Sequence, residues 1–139
     1  MSDSRYRSFS MKPVWLLITV LILGGCSFPN EEERLAGQGL PPTDFVASAD
    51  SGRGLYQQYC SQCHGRQLQG VDLKGPPLLH DYYKPGHHSD LAFYRAIKFG
   101  TQAHHWQFGD MEPVPEVTPK DAAHIVAYVR KHQHRAGIQ

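Results

Sequence analysis

The chain has 139 residues, 40% of them apolar, and a net charge of +1 with histidine neutral, so it is long enough for one domain and short of two. With 19% charged residues it is not a disordered acidic tail, and it lacks the basic excess that binding to nucleic-acid phosphates requires. The 13 glycines and 10 prolines predict a large share of loop. A loop-rich domain of this size needs reinforcement beyond its own core.

Residues 1–25 are predicted to be an export signal. Three basic residues precede residues 14–23, a ten-residue run that is apolar except for Thr19. A helix that spans a bilayer needs about 20 apolar residues, so this shorter run fits the core of a secretory signal instead. Either Met1 or Met11 could be the start.

The signal ends in Leu-Gly-Gly-Cys-Ser at residues 23–27, which resembles a bacterial lipobox. The resemblance implies that Cys26 is acylated and becomes the N-terminal residue of a periplasmic lipoprotein. It also implies a membrane anchor that does not span the bilayer, and Ser27 favours the outer membrane over the inner.

Residues 26–49 are predicted to be a flexible tether. They contain three consecutive glutamates, two glycines and the pair Pro41-Pro42, with few apolar residues and no sustained period. Such a composition buries too little surface to order itself. The alternative is a short strap packed on the domain around Phe45-Val46.

Residues 50–139 are predicted to form the folded domain, and its class is all-α. One helix begins at Asp50 or Ser51 and continues to Cys60, a second runs from Ser89-Asp90 to Gly100, and Thr118 caps a third that begins with Pro119. The stretches between them have no convincing strand alternation. Three short helices make a poor core unless something large fills the centre.

Residues 60–64 read Cys-Ser-Gln-Cys-His, the attachment signal of c-type haem. One helical turn separates Cys60 from Cys63, so both thiols can add to the two vinyl groups of one haem, and His64 can bind the iron. A zinc site would want a second ligand pair, and no cysteine follows Cys63. A thiol-redox motif would want a surrounding βαβ pattern, which is missing.

With this motif in place, residues from about 50 to about 133 resemble the class I monohaem cytochromes c. Gly52 and Tyr56 match the glycine and aromatic of the family's N-terminal helix, and Ile125 and Tyr128 match their partners on the C-terminal helix. The resemblance implies the cytochrome c fold, with short helices and long loops around one covalently bound haem c and its iron.

The resemblance also implies the rest of the haem site. Pro76 lies twelve residues after His64, and its carbonyl would accept a hydrogen bond from the histidine Nδ1–H, while Leu78 would pack on the porphyrin. Met111, the only methionine after residue 11, would be the sixth iron ligand. Glu112 interrupts the family's usual Met-Pro pair. A shell of Leu78, Tyr94, Ile97 and Phe108 would bury the haem.

Histidines offer two alternatives to this ligand set. His104 or His105 could replace Met111 and give bis-histidine ligation at a lower potential. The pairs His87-His88 and His104-His105, with His80, could also hold copper or zinc, although solvated loop histidines are the commoner state. Trp106 would contact a haem propionate or pack on the ring. Arg130 and Lys131 are predicted to lie on a solvated helix face.

Function follows from this coordination. With His64 and Met111 both bound to iron, no position is open for a substrate, so we expect no catalytic residue and a single-electron carrier between periplasmic or membrane redox proteins. Two alternatives remain: a haem-based ligand sensor or peroxidase-like protein with a labile sixth ligand, and a histidine-rich metal-handling module. A subunit of a larger redox complex is not distinguished from a free carrier.

Overall fold

The structure, a computed structural model, describes residues 28–139, so the predicted signal, Cys26 and Ser27 lie outside the described residues. The all-α prediction is confirmed, because the described part consists of helices and loops with only two isolated bridges, Val71–Gly75 and Thr101–Met111. The helices are α1 (Glu31–Gly37), α2 (Ala49–Tyr59), α3 (Ser61–His64), α4 (Asp90–Phe99) and α5 (Pro119–Arg135), and a 3₁₀ turn covers Asp81–Tyr83. None of these helices is long and apolar enough to cross a membrane.

Helix α1 falls within the stretch that the sequence predicts to be a tether. Asn30 and Glu33 form a capping box, in which the Glu33 N–H donates to Asn30 Oδ1 at 2.8 Å and the Asn30 N–H donates to Glu33 Oε2 at 2.9 Å. The acidic first turn also suits the positive end of the helix dipole. These local interactions give residues 31–37 a helical conformation without a buried residue.

The residues after α1 pack on the domain. Gly39 is buried against Lys98 of α4, and the Phe45 ring lies edge-on to His124 with centroids 5.1 Å apart. The Ser48 N–H donates to His124 Nδ1 at 2.8 Å. Around Phe45, these contacts favour the packed strap over the flexible tether. Val46 is exposed.

Helix α2 packs across α5, and α4 packs on α5 as well. Ser48, and not Asp50 or Ser51, caps α2, because the Ser51 N–H donates to Ser48 Oγ. Thr118 caps α5 through a capping box with Asp121, and Pro119 is the first helical residue as predicted. The core cluster consists of Tyr56, Leu68, Leu78, Ile97, Val117, Ala122, Ile125, Tyr128 and Val129.

The loop after α3 is fixed by buried hydrogen bonds to both of these helices. The Tyr56 hydroxyl of α2 donates to the Gly65 carbonyl at 2.7 Å, and Gln133 Nε2 of α5 donates to the Leu78 carbonyl at 2.8 Å. The Leu78 N–H donates to the Leu68 carbonyl at 2.8 Å. The segment that contains Pro76 and Leu78 is therefore held close to His64 from two sides.

Candidate functional site

A largely apolar cavity of ≈ 380 Å³ lies where α3, α4, α5 and two loops meet. Its volume is in the range of small-molecule and cofactor sites, about 300–1,000 Å³. Most of the residues predicted to hold a haem line it: Cys60, His64, Pro76, Leu78, Ile97, Phe108 and Met111. Cys63 and Tyr94 do not line it, and Cys63 is exposed.

His64 is oriented by the backbone of the following loop. Its Nδ1 lies 2.9 Å from the Pro76 carbonyl oxygen, and since a carbonyl can only accept, Nδ1–H is the donor. Burial lowers the pKa of His64, against the opposing effect of this hydrogen bond. The ring is therefore neutral at pH 7 with an unprotonated Nε2, which is the form that binds a metal.

Cys60 joins α2 to α3, and Cys63 lies one turn later, within α3. The Cys63 and His64 N–H groups both donate to the Cys60 carbonyl, at 3.2 and 2.9 Å. Burial, with a smaller contribution from Cys63, raises the pKa of the Cys60 thiol to about 12. Thiol-redox chemistry needs the thiolate, which this environment of Cys60 disfavours.

Met111 reaches the cavity from the long loop between α4 and α5. Its N–H and carbonyl exchange hydrogen bonds of 2.9 and 3.0 Å with Thr101, which closes the loop of residues 101–111 at its base. A Cβ on Gly100 would lie 2.4 Å from the Met111 carbonyl oxygen, and the φ of Gly100 is +74°. Only glycine allows this approach at the end of α4, so the helix terminus positions Met111.

Trp106 lines the same cavity and carries an unusual feature. Its indole Nε1 is buried and has no hydrogen-bond partner among the described residues. A buried N–H without a partner costs about 1–3 kcal/mol, so an acceptor bound in the cavity would stabilise the site.

The histidine pairs do not stay apart as solvated loop residues. His87 and His88 meet His104 and His105 at the rim of the cavity, the arrangement that the sequence offers only as the less favoured alternative because the two pairs come from separate loops. Burial lowers the pKa of His88, and the neighbouring His87 and His104 act in the same direction.

Arg130 is also placed differently from the prediction. Its guanidinium is largely covered and donates to the Tyr83 carbonyl at 2.6 Å, to the His88 carbonyl at 2.5 Å and to Gln133 Oε1 at 2.7 Å, and it pairs with Asp90. Arg130 therefore attaches the loop of residues 83–88 to α5. Its neighbour Lys131 forms an exposed ion pair with Asp50.

A sequence model of the cytochrome c family matches residues 49–133. The chain belongs to the cytochrome c family. It is therefore a class I c-type cytochrome, an electron-transfer protein with covalently bound haem c and its iron. Cytochrome CL from the marine methylotrophic bacterium Methylophaga aminisulfidivorans is similar in structure, with a TM-score of 0.50 and 28% sequence identity over 80% of this chain and 71% of that one. No curated protein matches the chain.

The described residues fit the haem that the family requires. The cavity is apolar, the neutral imidazole of His64 is fixed by a backbone carbonyl, and the buried Trp106 N–H lacks an acceptor that a carboxylate could supply. This cytochrome c therefore has a cavity with the donor set and polarity that suit an iron porphyrin.

Proposed function

We propose that this cytochrome c is a single-electron carrier whose haem is attached through Cys60 and Cys63 and whose iron is bound by His64 and Met111. The observation that carries the proposal is that His64 and Met111, from segments 47 residues apart, line one apolar cavity. Each is held there by backbone contacts, His64 through Pro76 and Met111 through Thr101.

This ligand set restricts the chemistry. The haem supplies a one-electron couple, and the protein supplies its potential, its insulation and its orientation. With an imidazole and a thioether on the iron, no coordination position remains for a substrate, and the soft thioether favours the ferrous state. Leu78, Ile97 and Phe108 keep the surroundings apolar, which further disfavours the extra charge of the ferric state.

Trp106 contributes to haem orientation in this proposal. Its buried indole N–H would donate to a haem propionate, which satisfies the one buried polar side-chain atom that lacks a partner in residues 28–139. Trp106 lies in the same closed loop as Met111, between its ends at Thr101 and Met111, so this loop would bind both the edge of the haem and its iron.

The place of action follows from the N-terminal sequence. We infer an exported protein, anchored by a lipid on Cys26 to a periplasmic membrane surface, the outer membrane being favoured. Its partners are redox proteins in the periplasm or membrane that dock through small, transient interfaces. Residues 31–48 would then begin close to the membrane and reach the domain through the contacts of Gly39, Phe45 and Ser48.

The absorption spectrum of the haem-loaded protein tests the ligand set. The oxidised protein is expected to show the weak long-wavelength charge-transfer band that a thioether gives to low-spin ferric haem. Met111→Ala should abolish the band, lower the reduction potential and open the iron to added ligands such as azide. Met111→His should keep a six-coordinate iron without the band.

His104→Ala and His105→Ala are the matched controls, because both residues line the same cavity as Met111. Each should keep the band. If the unmutated protein has no band and one of these two variants changes its spin state, the iron has two histidine ligands instead. If the unmutated oxidised protein binds azide at once, the sixth ligand is labile and the protein is a ligand sensor or peroxidase-like.

A further inference from the structure

Four histidines from two loops meet at the rim of the haem cavity. His87 Nε2 lies 3.0 Å from His105 Nε2, and His88 Nε2 lies 3.2 Å from His104 Nε2. The rings of His104 and His105 lie next to each other, with centroids 4.4 Å apart. Three of the four rings line the haem cavity and His87 lies outside it. His87 and His104 are exposed, whereas His88 and His105 are partly buried.

Hydrogen bonds at Nδ1 define the tautomers of two of these rings. His88 Nδ1 contacts the Tyr82 carbonyl and His104 Nδ1 lies 2.9 Å from the Gln102 carbonyl, so both Nδ1 atoms carry a hydrogen and donate. In the neutral rings, both Nε2 atoms are then lone-pair acceptors that face each other at 3.2 Å. Two acceptors cannot form a hydrogen bond, so this pair requires a shared proton or a cation between the rings.

The spacing of the donors suits a metal ion. One ring nitrogen from each of His87, His88 and His105 lies within 4.8 Å of the others. Imidazole binds zinc at about 2.0–2.1 Å, which places neighbouring donors of a tetrahedral site about 3.3 Å apart. The two observed nitrogen–nitrogen distances are close to that value.

The backbone around the cluster is already fixed. Arg130 of α5 donates to the carbonyls of Tyr83 and His88, so the loop that contains the first pair is attached to the longest helix. The Thr101–Met111 bridge closes the loop that contains the second pair, and the Ala103 N–H donates to Asp110 Oδ1 at 2.9 Å inside it. The Tyr82 ring stacks on His105, with centroids 4.4 Å apart.

We propose that His87, His88 and His105, joined by His104, form a second metal site for a divalent late transition ion of the Cu²⁺ and Zn²⁺ class. The hydrogen bonds from Nδ1 to backbone carbonyls are the supporting contacts that orient metal-binding histidines and increase their basicity. An all-imidazole donor set suits copper and zinc, and among divalent ions Cu²⁺ should bind most tightly. Of the four ligands, His87 lies outside the haem cavity and the other three line it, so the second metal would bind beside the haem and not at its iron.

Isothermal titration calorimetry of the haem-loaded protein with ZnCl₂ tests the proposal. We expect one equivalent to bind with micromolar or tighter affinity, without a change in the Soret band. His87→Gln should weaken Zn²⁺ binding at least about tenfold, and His87→Gln with His105→Gln should abolish it. With CuSO₄, the same site should give an EPR signal with nitrogen hyperfine structure from three or four imidazoles.

His132→Gln with His134→Gln is the matched control, because these two histidines lie on α5 outside the cluster. This double variant should bind Zn²⁺ as the unmutated protein does. The proposal is wrong if the unmutated protein binds no Zn²⁺, or if the control loses binding as much as the cluster variant does. It is also wrong if His87→Gln alone shifts the Soret band or the haem spin state, since the histidines would then act on the haem.

Discussion

Gly52 of α2 lies directly on the backbone carbonyl of His124 in α5. A Cβ atom on Gly52 would be 1.9 Å from the His124 oxygen and 3.0 Å from the Tyr128 Cβ. No side chain fits there, so the two helices cross at a distance that only glycine permits. Four residues later in α2, the Tyr56 ring packs on Tyr128 with centroids 5.3 Å apart, and this pair forms the centre of the crossing.

Gly52→Ala is expected to destabilise the haem-loaded protein by about 3 kcal/mol, the upper end of what overpacking costs, because the clash is with a backbone atom that cannot rotate away. Gly54→Ala is the matched control in the same helix, since a Cβ on Gly54 has nothing within 4 Å. It should stabilise the protein by about 0.5–1 kcal/mol through helix propensity. Guanidinium unfolding followed by circular dichroism measures both; equal effects of the two changes would contradict the close crossing.

Tyr56→Phe is expected to cost about 0.5–1.5 kcal/mol, the net contribution of one buried hydrogen bond. The Tyr56 hydroxyl is buried, its pKa is raised by burial, and it donates to the Gly65 carbonyl at 2.7 Å. After the substitution this carbonyl keeps only the Leu68 N–H as a donor, at 3.2 Å. Tyr128→Phe is the control, because no hydrogen bond from its hydroxyl to the described residues is seen. It should change the free energy of unfolding by less than about 0.5 kcal/mol. A smaller loss from Tyr56→Phe than from Tyr128→Phe would show that the hydroxyl does not hold the loop.

Much of the fold could be predicted because local signals and long-range packing agree. Local signals mark the start of α5 at Thr118 and Pro119 and the end of α4 at Gly100. The tertiary contacts agree with both boundaries. Apolar content does not predict helix α1, because the capping box between Asn30 and Glu33 stabilises it without a buried face. The 3₁₀ turn at residues 81–83 depends on a His80 side chain that accepts from the Tyr82 N–H, which no periodicity reveals.

The sequence predicts more of the haem site than of the histidine cluster. The spacing of Cys60, Cys63 and His64 is fixed by chemistry within one helical turn, and the family pattern extends to Pro76 and Met111. His87 and His105 are eighteen residues apart, and only the docking of two loops brings their Nε2 atoms together. The contacts of Arg130 are equally long-range. Its acceptors are backbone carbonyls, and because every residue has one, no residue type in the sequence indicates which carbonyls Arg130 binds.

The lipid anchor can be tested on the intact chain. Cys26→Ala is expected to leave a haem-loaded protein that moves from the detergent phase to the aqueous phase in Triton X-114 partitioning, because covalent lipid is the anchor in this proposal. Its mass should lack the acyl groups. Ser27→Asp should keep the acyl groups, so it controls for changes beside the attachment site. An unmutated protein that is found in the aqueous phase with no added mass would show that Cys26 is not acylated.

Haem attachment should depend on both Cys60 and Cys63 although their environments differ. Cys60 is half-buried and lines the cavity, whereas Cys63 is exposed, so either single change to alanine should leave one thioether at most. Denaturing gels with haem staining should therefore show sharply reduced haem in each single variant and none in the double variant.

The double variant should also lose stability, since cofactor binding is coupled to folding and α4 packs on the rest of the domain around the cavity. We expect its thermal unfolding to become broad and non-cooperative, with partial retention of helix from α2 and α5, which contact each other directly. Cys26→Ala controls for loss of a cysteine as such and should keep full haem staining. Full yield of a cooperatively folded double variant would mean that the haem is not the centre of the core.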